Sequence, residues 1–153
     1  RTWDSAIYTK GGTIKNLTID SGFRGIFIAN PTEDIIIDNV TIDGSTYTIS
    51  VDAGGNKNLT VTNSTLNGWT SYAATLANVS FTNCKFGEGN NYAFLRPYAP
   101  STFANCEFET GFKLDATKTS SIVLENCTVN GVALTAENLT TLLGASAANA
   151  IVK

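Results

Sequence analysis

Six copies of one short phrase constrain what this chain can fold into. They read GTIKNLTI, IIIDNVTI, LTVTNSTL, VSFTNCKF, STFANCEF and IVLENCTV, and each carries an Asn at the same place. Those residues, Asn16, Asn39, Asn63, Asn83, Asn105 and Asn126, follow one another at intervals of 20 to 24 residues. A repeat of that length marks a stacked architecture in which each unit buries its apolar side chains with the help of its neighbours.

The parity within the phrase says how each unit is bent. Apolar residues stand two places before the Asn (Ile14, Ile37, Val61, Phe81, Phe103, Leu124) and three places after it (Ile19, Ile42, Leu66, Phe86, Phe108, Val129). Small or apolar residues stand one place after it (Leu17, Val40, Ser64, Cys84, Cys106, Cys127). Side chains of a strand alternate between its two faces, so a straight strand would turn its second half outward. Both halves face one core only if the chain bends at the Asn, the non-glycine residue that most readily takes the left-handed conformation of such a corner. A third short strand is expected in each unit, at Gly25–Ile28, Tyr47–Val51, Thr70–Ala74, Tyr92–Arg96, Phe112–Asp115 and Val132–Leu134, with glycines before most of them as turns.

The expectation is an all-β fold: a single-stranded parallel β-helix of about six to seven coils stacked at ~4.8 Å. Residues 1–153 form one domain, with coils over 1–134 and a cap over 135–153. Thr135 reads as a helix N-cap, Leu139, Leu142 and Leu143 as one helical face, and Gly144 as the stop, so a short C-terminal helix is expected across the last coil. Arg1–Gly12 offers one partial coil and no cap, which leaves strand edges open to an upstream domain or neighbouring subunits. With Arg1 first and no methionine, the chain is expected to be a piece of a longer one.

Composition narrows the chemistry. Charged residues make up 15% of the chain against a usual ~25%, and the net charge is -3, which gives no footprint for nucleic acid or an anionic membrane. No apolar run approaches the ~20 residues of a membrane span. The absence of histidine removes imidazole bases, serine triads and His-ligated metals. No cofactor is expected. Cys84, Cys106 and Cys127 share one inward place in successive coils and read as a structural stack of free thiols, because strands ~4.8 Å apart hold neighbouring Cβ atoms slightly beyond disulfide range.

The Asn column and the N-x-[TC]-[IFV] coils resemble the right-handed parallel β-helices of the pectate-lyase-like superfamily. From WTSY at Trp69 through FTNCKFGEGN, LRPY, FANCEF and ENCTVNG to LTAENL, the chain also resembles the carboxy-terminal β-helices of surface proteins from gut-dwelling bacteria. The first resemblance implies the fold and admits polysaccharide lyases and hydrolases; the second implies surface display and carries no reaction. The hydrolase motifs of the superfamily (Asn-Thr-Asp, paired Asp, Gly-His-Gly, Arg-Ile-Lys) are absent here. Its lyases use calcium-binding carboxylates beside a basic residue. The nearest match is Asp20 above Asp43, weak metal candidates in a column that continues as Asn67, Gly87, Glu109 and Asn130 without a basic partner.

No catalytic residue is therefore assigned. The leading expectation is a non-catalytic, secreted or surface-displayed spacer or adhesin with weak glycan binding. The alternatives are a fibre or spike component of a bacterial virus, hence a virion surface, and a polysaccharide lyase or hydrolase with an atypical site. Trp69, Tyr72, Tyr92, Arg96 and Tyr98 are the candidate ligand contacts, since Tyr, Trp and Arg suit contact surfaces and aromatic faces suit sugar rings.

Overall fold

A computed structural model describes residues 4–20, 22–72, 75–119 and 121–153. Arg1–Trp3 of the expected first partial coil, and Ala73 and Ala74 of the expected strand Thr70–Ala74, lie outside the described residues.

The chain opens with β1 (Ser5–Thr9), β2 (Gly12–Ile19), β3 (Arg24–Ala29), β4 (Ile35–Ile42) and β5 (Tyr47–Ala53). Three coils of three short strands follow. They are β6 (Leu59–Thr62), β7 (Thr65–Asn67) and β8 (Trp69–Tyr72), then β9 (Val79–Thr82), β10 (Lys85–Gly87) and β11 (Phe94–Pro97), then β12 (Ser101–Ala104), β13 (Glu107–Phe108) and β14 (Lys113–Leu114). The last part holds β15 (Ile122–Glu125), β16 (Thr128–Val129), β17 (Val132–Ala133), α1 (Leu139–Leu143), a 3-10 turn at Ala145–Ala147, and β18 (Ile151–Val152).

The corners are where the sequence puts them. All six column residues, Asn16 to Asn126, have φ between 51° and 60°, the left-handed region. β2 and β4 run through their corners as single eight-residue strands, whereas later coils break there into separate strands. The face before the corner stacks β4, β6, β9, β12 and β15 in parallel register, and the face after it stacks β4, β7, β10, β13 and β16. The third face is a six-stranded parallel sheet in the order β1-β3-β5-β8-β11-β14. Side-chain amides link the corners from coil to coil: Asn39 donates to Asn16 at 2.9 Å, Asn83 to Asn63 at 3.4 Å and Asn126 to Asn105 at 2.7 Å. Asn63 instead donates to Asp38 at 3.0 Å.

The three faces enclose one core of stacked like residues. Phe81 lies on Phe103 with ring centroids 5.0 Å apart, and Phe86 on Phe108 at the same spacing. The thiols of Cys84, Cys106 and Cys127 are free and buried, as the inward stack requires. Each lies within bonding distance of two backbone carbonyls, those of Phe81 and Ala104 for Cys106. The neighbouring Cys127 and Cys84 thiols, together with burial, push the Cys106 thiol pKa well up.

The C-terminal end departs from the repeat. Val132–Leu134, expected as a sixth parallel third strand, forms a hairpin instead: β17 runs antiparallel to β16, with Val129 opposite Val132. Asn130 (φ 47°) and Gly131 (φ 79°) make the turn, and Asn-Gly with positive φ at both places is a strong two-residue hairpin signal. Helix α1 begins at Leu139 rather than just after Thr135. Thr135 and Asn138 instead hold each other's backbone N–H groups through their side chains, at 3.2 and 2.8 Å. Gly144 ends α1 as expected. The chain then returns as β18, which pairs with β15, so the segment 135–153 is a cap that closes with one more strand. The 3-10 turn lies over the β14 edge, where Ala116 N–H donates to Ser146 O at 2.9 Å.

Candidate functional site

The outer surface of the third face carries the densest group of aromatic and cationic side chains. Strand register sets it out in two columns. One runs Arg24, Tyr47, Trp69, Phe94, Lys113; the other runs Tyr8, Phe27, Ser50, Ser71, Arg96. Within them Tyr47 stacks on Trp69 at 4.9 Å, and Phe94 meets the Trp69 ring edge-on at 5.5 Å. Phe23 extends the ladder beyond Tyr47 at 5.3 Å.

A tight turn adds the next rung. Tyr92 does not lie in the third strand, which starts at Phe94; Tyr92 and Gly89 exchange backbone bonds of 2.9 Å across Asn90 and Asn91. Asn90 donates its amide to Thr46 Oγ1 at 2.6 Å, which pins this turn to a coil two turns away. The result stacks Tyr92 on Trp69 at 5.7 Å, with 41% of Tyr92 exposed.

Arg96 completes the group. Its guanidinium lies 5.4 Å from the Trp69 ring and 5.7 Å from those of Phe94 and Tyr98, within reach of cation–π attraction. Trp69 Nε1 and Arg96 Nε are both shielded from water and meet no hydrogen-bond acceptor among the described residues. Leaving such a shielded donor without an acceptor costs about 1–3 kcal/mol.

Four of the five expected contacts, Trp69, Tyr92, Arg96 and Tyr98, thus share this surface. Tyr72 does not. It faces the core at 1% exposure, and its hydroxyl lies 2.7 Å from Ser101 Oγ. Burial also pushes its phenol pKa up; buried and bonded to Ser101, Tyr72 is a structural residue and not part of the contact surface. Tyr47, Phe23 and Phe94 escaped sequence reasoning because they join Trp69 only through strand register.

The acids are arranged otherwise. Asp20 and Asp43 follow the paired residues Ile19 and Ile42 in adjacent coils, and both are exposed. A Cβ on Gly44 would strike the Asp20 carbonyl, so this turn brings the coils close together by backbone alone. Asp52 and Asp115 stand at the ends of β5 and β14, three strand steps apart, or ~14 Å at 4.8 Å per step. Burial raises the Asp115 pKa, but the Thr117 hydroxyl (2.6 Å) and N–H (3.0 Å), with Lys118 and Arg96 nearby, hold it below the usual carboxylate value. Among the described residues, no three His, Cys, Asp or Glu side chains gather in a way that could hold a metal ion.

A second hollow of about 220 Å³ lies on the face after the corner, with Phe86 and Phe108 behind it and Asn67, Lys85, Glu107 and Glu109 around it. Gly87 makes the room: a Cβ there would sit 2.5 Å from Asn67 Oδ1 and 2.6 Å from Glu109 Oε2. Glu107 and Glu109 are exposed on this outer side two residues apart, with Lys85 opposite Glu107. Asn67, Gly87, Glu109 and Asn130 are the continuation of the Asp20–Asp43 column expected from the sequence, while Glu107 and Lys85, two residues before Glu109 and Gly87, join it only through register.

Among the described residues, no helix is long and apolar enough to cross a membrane. A family model described as a right-handed beta helix region matches residues 24–146. No curated protein and no solved structure matches the chain.

Proposed function

The chain belongs to the right-handed β-helix family, and from that premise we propose that it is a non-catalytic binding module, displayed outside a cell, whose third face takes a saccharide chain. The observation that carries this reading is the Trp69–Arg96 group. Rings of Tyr47, Trp69 and Tyr92 stack across three coils beside the Arg96 guanidinium, and Tyr92 ends the stack with 41% of its surface exposed. Trp69 is stacked between Tyr47 and Tyr92, so the exposed ring of Tyr92 is what this group offers to the apolar C–H face of a sugar, with the Arg96 guanidinium beside the stack. The surface is open and shallow, so the affinity belongs in the millimolar range of weak, partly buried contacts. Display outside a cell is supported by the resemblance of the second half to bacterial surface β-helices, and rigid stacking of coils suits a spacer.

The test is retardation of the protein in gels that contain different soluble polysaccharides. At least one polysaccharide retards the wild type, and Tyr92→Ala and Arg96→Ala restore free migration. Retardation by none, or retardation unchanged in both variants, contradicts the reading.

One observation favours a cleaving enzyme as the second reading: Glu107, Glu109 and Lys85 border a single hollow. Two carboxylates on one groove are the minimum for glycosidic hydrolysis. New reducing or unsaturated ends that vanish in Glu107→Gln or Glu109→Gln would put that reading first.

A further inference from the structure

The C-terminal cap does not seal the third face completely. Between β14 and the cap lies a pocket of about 280 Å³, lined by Phe94, Lys113, Leu114, Leu143, Gly144, Ala145 and Ser146. It exists because the sixth coil supplies a hairpin and a helix in place of a parallel strand, so the β14 edge meets the 3-10 turn instead of a flat neighbour.

We infer that this pocket is a binding site for a small monocyclic aromatic carboxylate. Size sets the first limit. A cavity of ~150 Å³ accepts benzene and drug-sized ligands need ~300 Å³ or more, so this open-mouthed hollow of about 280 Å³ suits one substituted ring. The lining sets the second. Leu114 and Leu143 lie buried beneath the hollow, and its accessible apolar surface comes from the partly exposed Phe94 ring and from Ala145. An apolar ring is matched to these surfaces, whereas a hydroxylated one loses its hydrogen bonds to water there.

Charge sets the third limit. Lys113 is the one charged residue of the lining. Its side chain is exposed and has no carboxylate within ion-pair distance among the described residues. Gly144 (φ 98°) leaves room for it: the Lys113 Cδ lies 3.0 Å from where a Gly144 side chain would begin, so the apolar stem runs over Gly144 while the exposed ammonium stays in reach of solvent. A ring in the pocket with a carboxylate at the mouth satisfies the apolar base and the cation together. The pocket shares Phe94 and Lys113 with the end of the third face, but its apolar lining and the test below do not depend on the saccharide reading.

The experiment is a titration of the full chain, labelled at amides and Leu methyls, with benzoate, benzyl alcohol and galacturonate, followed by NMR. Benzoate shifts the Leu114 and Leu143 methyls and the Gly144 amide to saturation. Benzyl alcohol binds more weakly, and galacturonate leaves those signals unmoved. Lys113→Met weakens benzoate roughly two- to fivefold, the size of one exposed ion pair, without changing benzyl alcohol. Ala145→Trp and Ser146→Phe, both at exposed positions, plug the pocket and abolish the shifts while signals elsewhere stay in place. The inference is overturned if benzoate gives no saturable shift at these residues, if benzyl alcohol binds as tightly, or if the shifts survive in both plugged variants.

Discussion

Two aromatic stacks run along this solenoid, one inside and one outside, and they differ in kind. The inner one is all phenylalanine: Phe81 on Phe103 and Phe86 on Phe108, with interplanar angles of 9° and 13° and exposures of 0–1%. The outer one, Tyr47, Trp69 and Tyr92, has looser planes of 27° and 28°, carries polar groups, and is crossed by Arg96. Coil register explains the inner pairs and the Tyr47–Trp69 rung, whereas the Tyr92 rung comes from the turn between Gly89 and Tyr92. Among the described residues, Trp69 Nε1 and Arg96 Nε in the outer group are buried donors without acceptors. The inner stack is satisfied by folding alone; the outer stack leaves hydrogen bonds unmade.

Substitutions sharpen that contrast. The largest effect falls inside. Phe103→Ala removes a ring packed against Phe81, Phe86 and Phe108 and is expected to cost about 3–5 kcal/mol, read by denaturant unfolding. Trp69→Ala, with the largest ring of the outer stack, is expected to cost clearly less while removing saccharide binding. Equal costs for the two would erase the distinction between the stacks.

The corner residues come next. Asn105 is exposed at φ 54°, so its contribution is conformational, and Asn105→Ala is expected to cost about 1–2 kcal/mol. Asn105→Gly accepts the same φ and should cost less, apart from the lost 2.7 Å bond from Asn126. An alanine variant as stable as the glycine variant would show that the left-handed corner is not what the Asn supplies.

The thiols give a smaller, kinetic signal. A bulky thiol reagent should label none of Cys84, Cys106 and Cys127 until denaturant is added, because all three are buried. Rapid labelling of native Cys106 would contradict the packing of the inner column.

The smallest effect is electrostatic. Asp38 accepts from Thr62 (2.7 Å) and Asn63 (3.0 Å), and these bonds hold its pKa below 3.8. A carboxyl whose folded pKa is lowered stabilises the fold above its unfolded pKa, and the gain is lost as pH falls through the folded value. The thermal midpoint should therefore decline slightly more steeply below pH 4 in the wild type than in Asp38→Asn. Identical slopes would remove Asp38 from the corner network.

Much of the scaffold was legible because its signals are local. The skipped beat at each Asn gave both the corner and the inward column of thiols. Simple alternation would also have placed Tyr72: with Trp69 outward, Tyr72 three residues on must face the core. The outer ladder was harder to see, since Tyr47, Trp69 and Phe94 become neighbours only once the coils are in register. The turn that projects Tyr92 depends on the long-range Asn90–Thr46 bond. At the C-terminal end the Asn130-Gly131 hairpin was written in the sequence, and the pull of the six-fold repeat obscured it. The return of Ile151–Val152 to β15 has no local mark, because two residues are too few for a periodic pattern.

The most direct test of the outer stack uses Trp69 as its own reporter. In a Trp3→Phe background the emission comes from Trp69 alone, and it is followed while a retarding polysaccharide, cut to oligosaccharides, is added. A saturable change in the millimolar range that disappears in Arg96→Ala, with the unfolding midpoint unchanged, is the predicted result. Emission that never changes with any oligosaccharide of a retarding polymer, or that changes equally in Arg96→Ala, would show that the outer stack is only the back of the fold.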